Sequence, residues 1–548
     1  CRAAEKALTV ENSEYKANLT RLSQALMRVP YEPASSFYEA VLSLYVCYPF
    51  VPDSIGTVDR YLYPYYRKDI DAGKLTREEA AAYLQELFLM LQARISIKSD
   101  RFTRGGESHF CIGGYLPNGE DGFTDLSRLV LDSLLELDTF IPQISLRWTK
   151  KMNPEDFRYV NERARKDNNM RIAFVNDEPR IRGWMEIAGM SYEDAVSYTM
   201  VGCNEPALQG GMIMGTCNCN IAKFIEKVFY ERRDEILSAK TFEEFYAVCE
   251  EELQKNLDEI LYYDRVFNEL RARDCNLVSS IFFRGCIKNA RSITQGGGDF
   301  TTAMIDVMGI TTAVDSLMVA KQFVFDDRLC TMRELTDALD HNWDGYEDLR
   351  TLILKKTDFF GNDGDESNAM AIRFYESMYQ YLKDKTDWVG KHYMVGDLIG
   401  YNQHNAWFGE ARRATPDGRD AGDVISFGRG QSLGKDRNGL TALLKAGAHC
   451  DAHTRVCGPT VTNIILDEKM VTDDASYAKL GTLLGTYFKN GGMHYQLSYV
   501  TREKMVEAQK EPSKYKTLRV RVSGFSDFFV RLDEDLQNEI ITRTSHAC

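Results

Sequence analysis

The chain has 548 residues, of which 44% are hydrophobic and 27% charged, an ordinary globular composition with length enough for a large core. Its formal net charge of −14 argues against a dedicated nucleic-acid surface or one for anionic membranes. No apolar run reaches the ~18 residues that a membrane span needs, so the reading is no nucleic acid and no membrane.

Thirteen cysteines, an odd number at irregular spacing and without paired CxxC motifs, suggest neither a disulfide framework nor a zinc site. A reduced, cytoplasmic interior is the expectation. The chain opens at Cys1 in helix-like sequence, and a preceding N-terminal segment is expected. Thr76-Arg77-Glu78-Glu79 reads as an N-cap with acids in the first turn, opening a helix to about Ile95. Ser191-Tyr192-Glu193-Asp194 has the capping-box pattern. Thr241 opens a long helix whose Phe242, Phe245, Val248 and Leu253 recur near helical spacing. Strands are expected within Ile141–Trp148, Thr460–Leu466, Tyr495–Val500 and Leu518–Val522. Their scatter between helices indicates an α/β architecture. With no low-complexity tract or linker, residues 1–548 are treated as one domain.

The first chemically loaded stretch is Val201-Gly202-Cys203-Asn204-Glu205-Pro206. Pro206 forces Glu205 towards an extended conformation. If residues 203–205 are all extended, the period of two puts Cys203 and Glu205 on one face, a sulfur beside a carboxylate able to move a proton. The bland alternatives are a small buried Cys and a helix-capping Glu. A thiolate with a histidine partner is a third, although none of the eight histidines lies in this loop.

Near the C-terminus, Leu518-Arg519-Val520-Arg521-Val522 alternates like a strand and is broken by Ser523-Gly524-Phe525. A glycine there usually marks a turn or bulge. Glycine is also the residue whose α-carbon radical can flatten without a side-chain clash, the electron spreading over the adjacent amides.

The context of that glycine is specific. Arg521-Val522-Ser523-Gly524-Phe525, followed by Phe529, Leu532, Gln537, Ile540-Ile541 and Arg543-Thr544, resembles the C-terminal signature of the glycyl radical enzymes. Segments in the family's order run along the whole chain, among them Gly296-Gly297-Gly298, Asp315-Ser316-Leu317, Phe360-Gly361-Asn362-Asp363 and Thr415-Pro416-Asp417-Gly418-Arg419. The resemblance implies a ten-stranded α/β barrel of two five-stranded halves with surrounding helices, residues 495–548 forming the glycine-radical segment. It also implies a separate radical-SAM iron–sulfur activase that makes the radical on Gly524, which then takes hydrogen from Cys203. Glu205 would act as base or acid, no cofactor or metal need be bound by the chain, and a homodimer is common in the family. The single cysteine matches the dehydratase, decarboxylase and lyase branch, not pyruvate formate-lyase proper, which has two. Anaerobic ribonucleotide reductases would carry a cysteine cluster upstream of the glycine, and residues 480–523 contain no Cys.

Asn204 stands where the family usually has an aliphatic residue, which points to a different substrate. Residues 212–220 contain no acid, whereas diol-type eliminases carry one after the cysteine loop to hold the departing hydroxyl. Glycerol, propanediol and choline are therefore disfavoured, and Thr216 and Asn218 become the pocket candidates; packing at a helix entry is the competing reading. The reading is a radical eliminase acting on a small polar molecule, with an arylacetate-type decarboxylase as runner-up and a truncated non-catalytic paralogue as a third possibility.

Overall fold

The computed structural model describes residues 2–50, 54–94, 108–202, 204–397, 408–426, 428–455, 457–467, 471–522, 526–543 and 545–546, apart from the side chains of 214–218, 397, 545 and 546.

The helix starts follow from their caps. Thr76 and Glu79 exchange reciprocal hydrogen bonds, Glu79 N to Thr76 Oγ1 at 3.1 Å and Thr76 N to Glu79 Oε2 at 2.9 Å, and open helix Arg77–Arg94. Ser191 Oγ accepts from Asp194 N at 3.1 Å before the short helix Tyr192–Ala195. Thr241 caps the 30-residue helix Phe242–Arg271 in the same way. No helix of the described residues is long and apolar enough to cross a membrane.

Fourteen strands are described: β1 Ser54–Thr57, β2 His109–Gly113, β3 Ile144–Trp148, β4 Ile172–Asn176, β5 Tyr198–Val201, β6 Glu205–Leu208, β7 Met212–Asn220, β8 Thr301–Met308, β9 Tyr393–Asp397, β10 Asn463–Leu466, β11 His494–Ser498, β12 Arg519–Arg521, β13 Ser526–Phe528 and β14 Ser545–His546. One sheet runs β1-β2-β3-β4-β11-β10-β14, a second β7-β8-β9. β1 to β4 are mutually parallel, and the chain direction reverses where β11 meets β4 antiparallel, Gln496 opposite Ala173. Beyond that seam β10 and β14 run parallel to β11. The two sheets approach where Gly458 N donates to Val395 O at 2.9 Å. A Cβ on Gly458 would lie 2.6 Å from backbone atoms of Gly396 and Val395, so only glycine permits this approach. The α/β barrel expectation holds, and these two sheets hold its strands.

The main strands are buried on both faces, which is why they read as weak alternation. In β3, Ile144, Leu146 and Trp148 pack into the helix-side core with Leu84, Leu131, Phe174 and Phe488. That leaves Gln143, Ser145 and Arg147 for the barrel interior. In β8, Ala303, Ile305 and Val307 pack on helices, while Met304 joins Met200, Met394 and Trp184 on the inner side. Residues 212–220 form a nine-residue strand, not a helix entry. Every cysteine whose side chain is described is a free thiol.

Candidate functional site

Two antiparallel hairpins, β5–β6 and β12–β13, carry the two sequence motifs. Cys203 and Gly524 themselves lie outside the described residues. So do the side chains of Thr216 and Asn218, whose backbone belongs to β7, with Asn218 opposite Asp306 of β8.

The cysteine hairpin pairs Val201 with Glu205 across a tight turn. Asn204 N donates to Val201 O at 3.0 Å, and Asn204 has φ +75°, Gly202 φ +48°. Residues 203–205 are therefore not all extended, and the period-of-two argument that set Cys203 and Glu205 on one face does not apply. A turn of two strands needs positive φ near its tip, and Asn tolerates it better than most residues. Glu205 is buried all the same, its carboxylate folded back over Gly202: a Cβ on Gly202 would lie 2.8 Å from Glu205 Oε2.

Asn204, which stands where the family usually has an aliphatic residue, is held inside the barrel. Its side chain is wholly buried and bonded to Ser145, whose Oγ is 3.0 Å from Asn204 Oδ1. Ser145 Oγ is also 2.8 Å from Nε2 of His109, whose Nδ1 lies 3.1 Å from the Gly202 carbonyl oxygen. Thus a histidine does sit beside the cysteine loop, against the carbonyl preceding residue 203. His109 is 93 residues away in sequence, inside an apolar strand, and nothing local in its surroundings signals it. Burial pushes His109 down to about 4; the Gly202 carbonyl opposes this shift and the Arg521 charge adds to it.

The glycine hairpin is held from both strands. Arg521 Nε donates to Gln496 Oε1 at 2.7 Å, and its Nη1 donates to Gln143 Oε1 at 2.6 Å and to Met170 O at 2.7 Å. Ser526, opposite Arg521 across the hairpin, donates to the same Met170 carbonyl at 2.6 Å. Arg543 Nη1 donates to Arg521 O at 3.0 Å and ties the C-terminal helix Glu534–Thr542 to the strand. Arg521, Val522 and Ser526 are all buried, so the backbone leading into and out of 523–525 is shielded from water.

The base of the cysteine hairpin is fixed by the second inward residue of β3, Arg147. Arg147 Nη1 donates to Tyr198 O at 2.7 Å, and Arg147 forms a fully buried pair with Asp177 at 2.8 Å. Tyr198 Oη donates to Asp177 at 2.5 Å. This buried charge is paired and hydrogen-bonded on all sides, as its location requires.

Beside the hairpin lies a cavity of about 680 Å³, lined by Tyr48, Ser54, Thr199, Gly202, Glu205 and Ile213 among others. Among its described lining residues Glu205 is the one acid and Arg271 the one cation. The volume suits a small polar molecule. A second buried acid, Asp306, lies on the inward-facing alternation of β8 with Met304, one strand from the acid-free stretch 212–220. Sequence reasoning confined to residues 212–220 could not find it, because the strand pairing supplies the neighbour.

An α/β barrel with one hairpin built from the cysteine motif and a second from the glycine motif defines a class of radical enzyme. Residues 2–403 match the family model described as pyruvate formate lyase-like, and residues 428–530 match the glycine radical model. The chain belongs to the pyruvate formate lyase-like glycyl radical enzymes and is a lyase of that family. It is 29% identical to the isethionate sulfite-lyase of Oleidesulfovibrio alaskensis, over 99% of this chain and 69% of that protein. Among solved structures it resembles hydroxyproline dehydratase from Clostridioides difficile with trans-4-hydroxy-L-proline bound, with TM-score 0.92 and 27% identity. The B12-independent glycerol dehydratase from Clostridium butyricum gives TM-score 0.91 and 25% identity. In both cases all of this chain and 72% of the other are covered.

Proposed function

We propose that the protein is a glycyl radical eliminase in which Gly524 stores the radical, Cys203 carries it to the substrate and Glu205 handles the accompanying proton. A separate radical-SAM activase removes one hydrogen atom from the α-carbon of Gly524. When substrate is bound, the S–H hydrogen atom of Cys203 passes to Gly524 and leaves a thiyl. The thiyl takes a hydrogen atom from a substrate carbon. The leaving group then departs from the neighbouring carbon with its bonding pair, while Glu205 takes a proton from the substrate. The product radical recovers its hydrogen atom from Cys203, and the cycle closes without a diffusible cofactor.

The observation that carries this reading is the convergence of two buried hairpins on one short segment, Arg521 held by Gln143 just ahead of β3 and Asn204 held by Ser145 within it. Elimination is favoured over decarboxylation because the similar proteins above are a sulfite-lyase and dehydratases. The mixed polar wall around Glu205 suits a small polar substrate, and Thr216 and Asn218, with Asp306 beside the latter, are the proposed contacts on the β7 side.

Oxygen provides the test. Air admitted to the anaerobically activated protein should cleave the chain at Gly524, and mass spectrometry should find a fragment ending there. An intact chain after verified activation would refute the assignment of Gly524. Product analysis with 2-hydroxysulfonates, hydroxylated amino acids and arylacetates then sorts elimination from decarboxylation.

A further inference from the structure

The contacts of His109 form a circuit that joins the two neighbours of residue 203. The circuit leaves the loop at the Gly202 carbonyl, runs through both nitrogens of His109 to Ser145, and returns at the Asn204 side chain. All four residues except Gly202 are completely buried, so no water supplies an alternative partner.

Proton counting fixes the direction of the circuit. A carbonyl oxygen only accepts, so Nδ1 of His109 carries the hydrogen that faces Gly202. In a neutral ring Nε2 then accepts, and the donor to it is the Ser145 hydroxyl. That hydroxyl has a single proton and cannot also donate to Asn204. Turning the amide by half a rotation removes this conflict: Nδ2 donates to Ser145 Oγ, Ser145 donates to His109 Nε2, and His109 Nδ1 donates to Gly202 O. Each contact of the circuit then has one donor and one acceptor.

We propose that His109 and Ser145 form a clamp that positions the radical-carrying residue 203 by gripping its neighbours on both sides, the Gly202 carbonyl and the Asn204 amide. His109 and Ser145 are positioning residues: neither lines the cavity, and each acts through a neighbour of residue 203. The clamp explains why an amide occupies position 204: an aliphatic side chain there would leave Ser145 without its donor. It also explains how a turn with two positive-φ residues, Gly202 and Asn204, keeps one geometry. The inference rests on Cys203 being the hydrogen-atom donor to Gly524.

The test reads the encounter of Cys203 with Gly524 apart from radical formation. In D₂O, transfer of hydrogen between the glycyl α-carbon and an exchanged thiol collapses the glycyl doublet to a singlet. In Ser145→Ala and His109→Phe, activated as the full chain, the doublet should form with an amplitude within about twofold of the parent. Its collapse in D₂O and substrate turnover should both slow by roughly tenfold or more, because a displaced reacting atom costs rate steeply. Ser145→Thr, which keeps the hydroxyl, should restore most of the rate. Collapse and turnover in Ser145→Ala within about twofold of the parent would overturn the clamp. Loss of amplitude with an unchanged collapse rate, the mark of a merely structural defect, would overturn it too. If His109→Phe does not fold, Ser145→Ala decides alone. A parent protein that forms no doublet refutes the radical assignment instead.

Discussion

Gln143 and Ser145 face the barrel interior two residues apart, and each is bonded to a different hairpin: Gln143 to Arg521 of the glycine hairpin, Ser145 to Asn204 of the cysteine hairpin. Gln143 immediately precedes β3 and Ser145 lies within it, and two residues of extended chain advance roughly 6.6 Å, so the entry to β3 sets the offset between the two anchors. The rigid element is a central strand paired on both sides, with β2 and β4. Radical transfer between loops demands that kind of fixed separation, because a small displacement costs rate steeply.

Arg521 is the anchor whose loss should be felt most in stability. Arg521→Met removes the buried guanidinium donor from the side-chain carbonyls of Gln143 and Gln496, while the Met170 carbonyl keeps Ser526. At about 1–3 kcal/mol for each buried group left unsatisfied, partly relieved by relaxation, a loss of roughly 3 kcal/mol or more is expected. Urea unfolding measures it, and a change under about 1 kcal/mol would show that the hairpin is held by other contacts.

Gly202→Ala should be costly for two reasons that act together. The residue has φ +48°, and the new Cβ would lie 2.8 Å from Glu205 Oε2. The backbone strain is worth about 1 kcal/mol or more, and relief requires the Glu205 carboxylate to move. Turnover should fall by about a hundredfold while thermal stability drops only slightly. Equal activity in the variant would mean that the position of Glu205 is not critical.

Glu205→Gln separates proton transfer from radical chemistry. The amide keeps the shape and loses the base, so kcat should fall by roughly 10²- to 10⁴-fold with the glycyl signal undiminished. A loss of signal in this variant would assign Glu205 to the architecture of the loop instead.

These predictions lean on features that the sequence showed unevenly. The caps at Thr76, Ser191 and Thr241 were legible because capping is local: donor and acceptor lie three residues apart. The strands around Ile144, Asn463, Tyr495 and Arg519 were placed, three with boundaries a few residues too wide and β11 beginning and ending one to two residues earlier than expected. β7 was missed because Met-Ile-Met-Gly-Thr-Cys-Asn-Cys-Asn has few β-branched residues and no apolar/polar alternation. The positive φ of Asn204 was hidden as well, since Pro206 constrains only the residue before it. His109, Ser145 and Gln143 reach the site through pairing between distant segments, which no local pattern encodes.

His109 should also leave a signature in the pH dependence of stability. Its folded value, about 4, lies below the ordinary 6.5, so the folded state binds fewer protons than the unfolded state between those values. The stability it contributes is present above pH 6.5 and is lost as pH falls towards 4, by up to about 1.4 kcal/mol per pH unit. Urea midpoints of the parent and of His109→Gln should therefore converge as pH is lowered from 6.5 to 4. Parallel curves would show that His109 titrates normally.

The central claim is that Gly524 holds a radical destined for Cys203, and anaerobic electron paramagnetic resonance tests it most directly. After treatment with a radical-SAM activase the parent should give a doublet that is absent in Gly524→Ala. In Cys203→Ala the doublet should persist while turnover is abolished. A signal unchanged by Gly524→Ala, or full turnover in Cys203→Ala, would contradict the account.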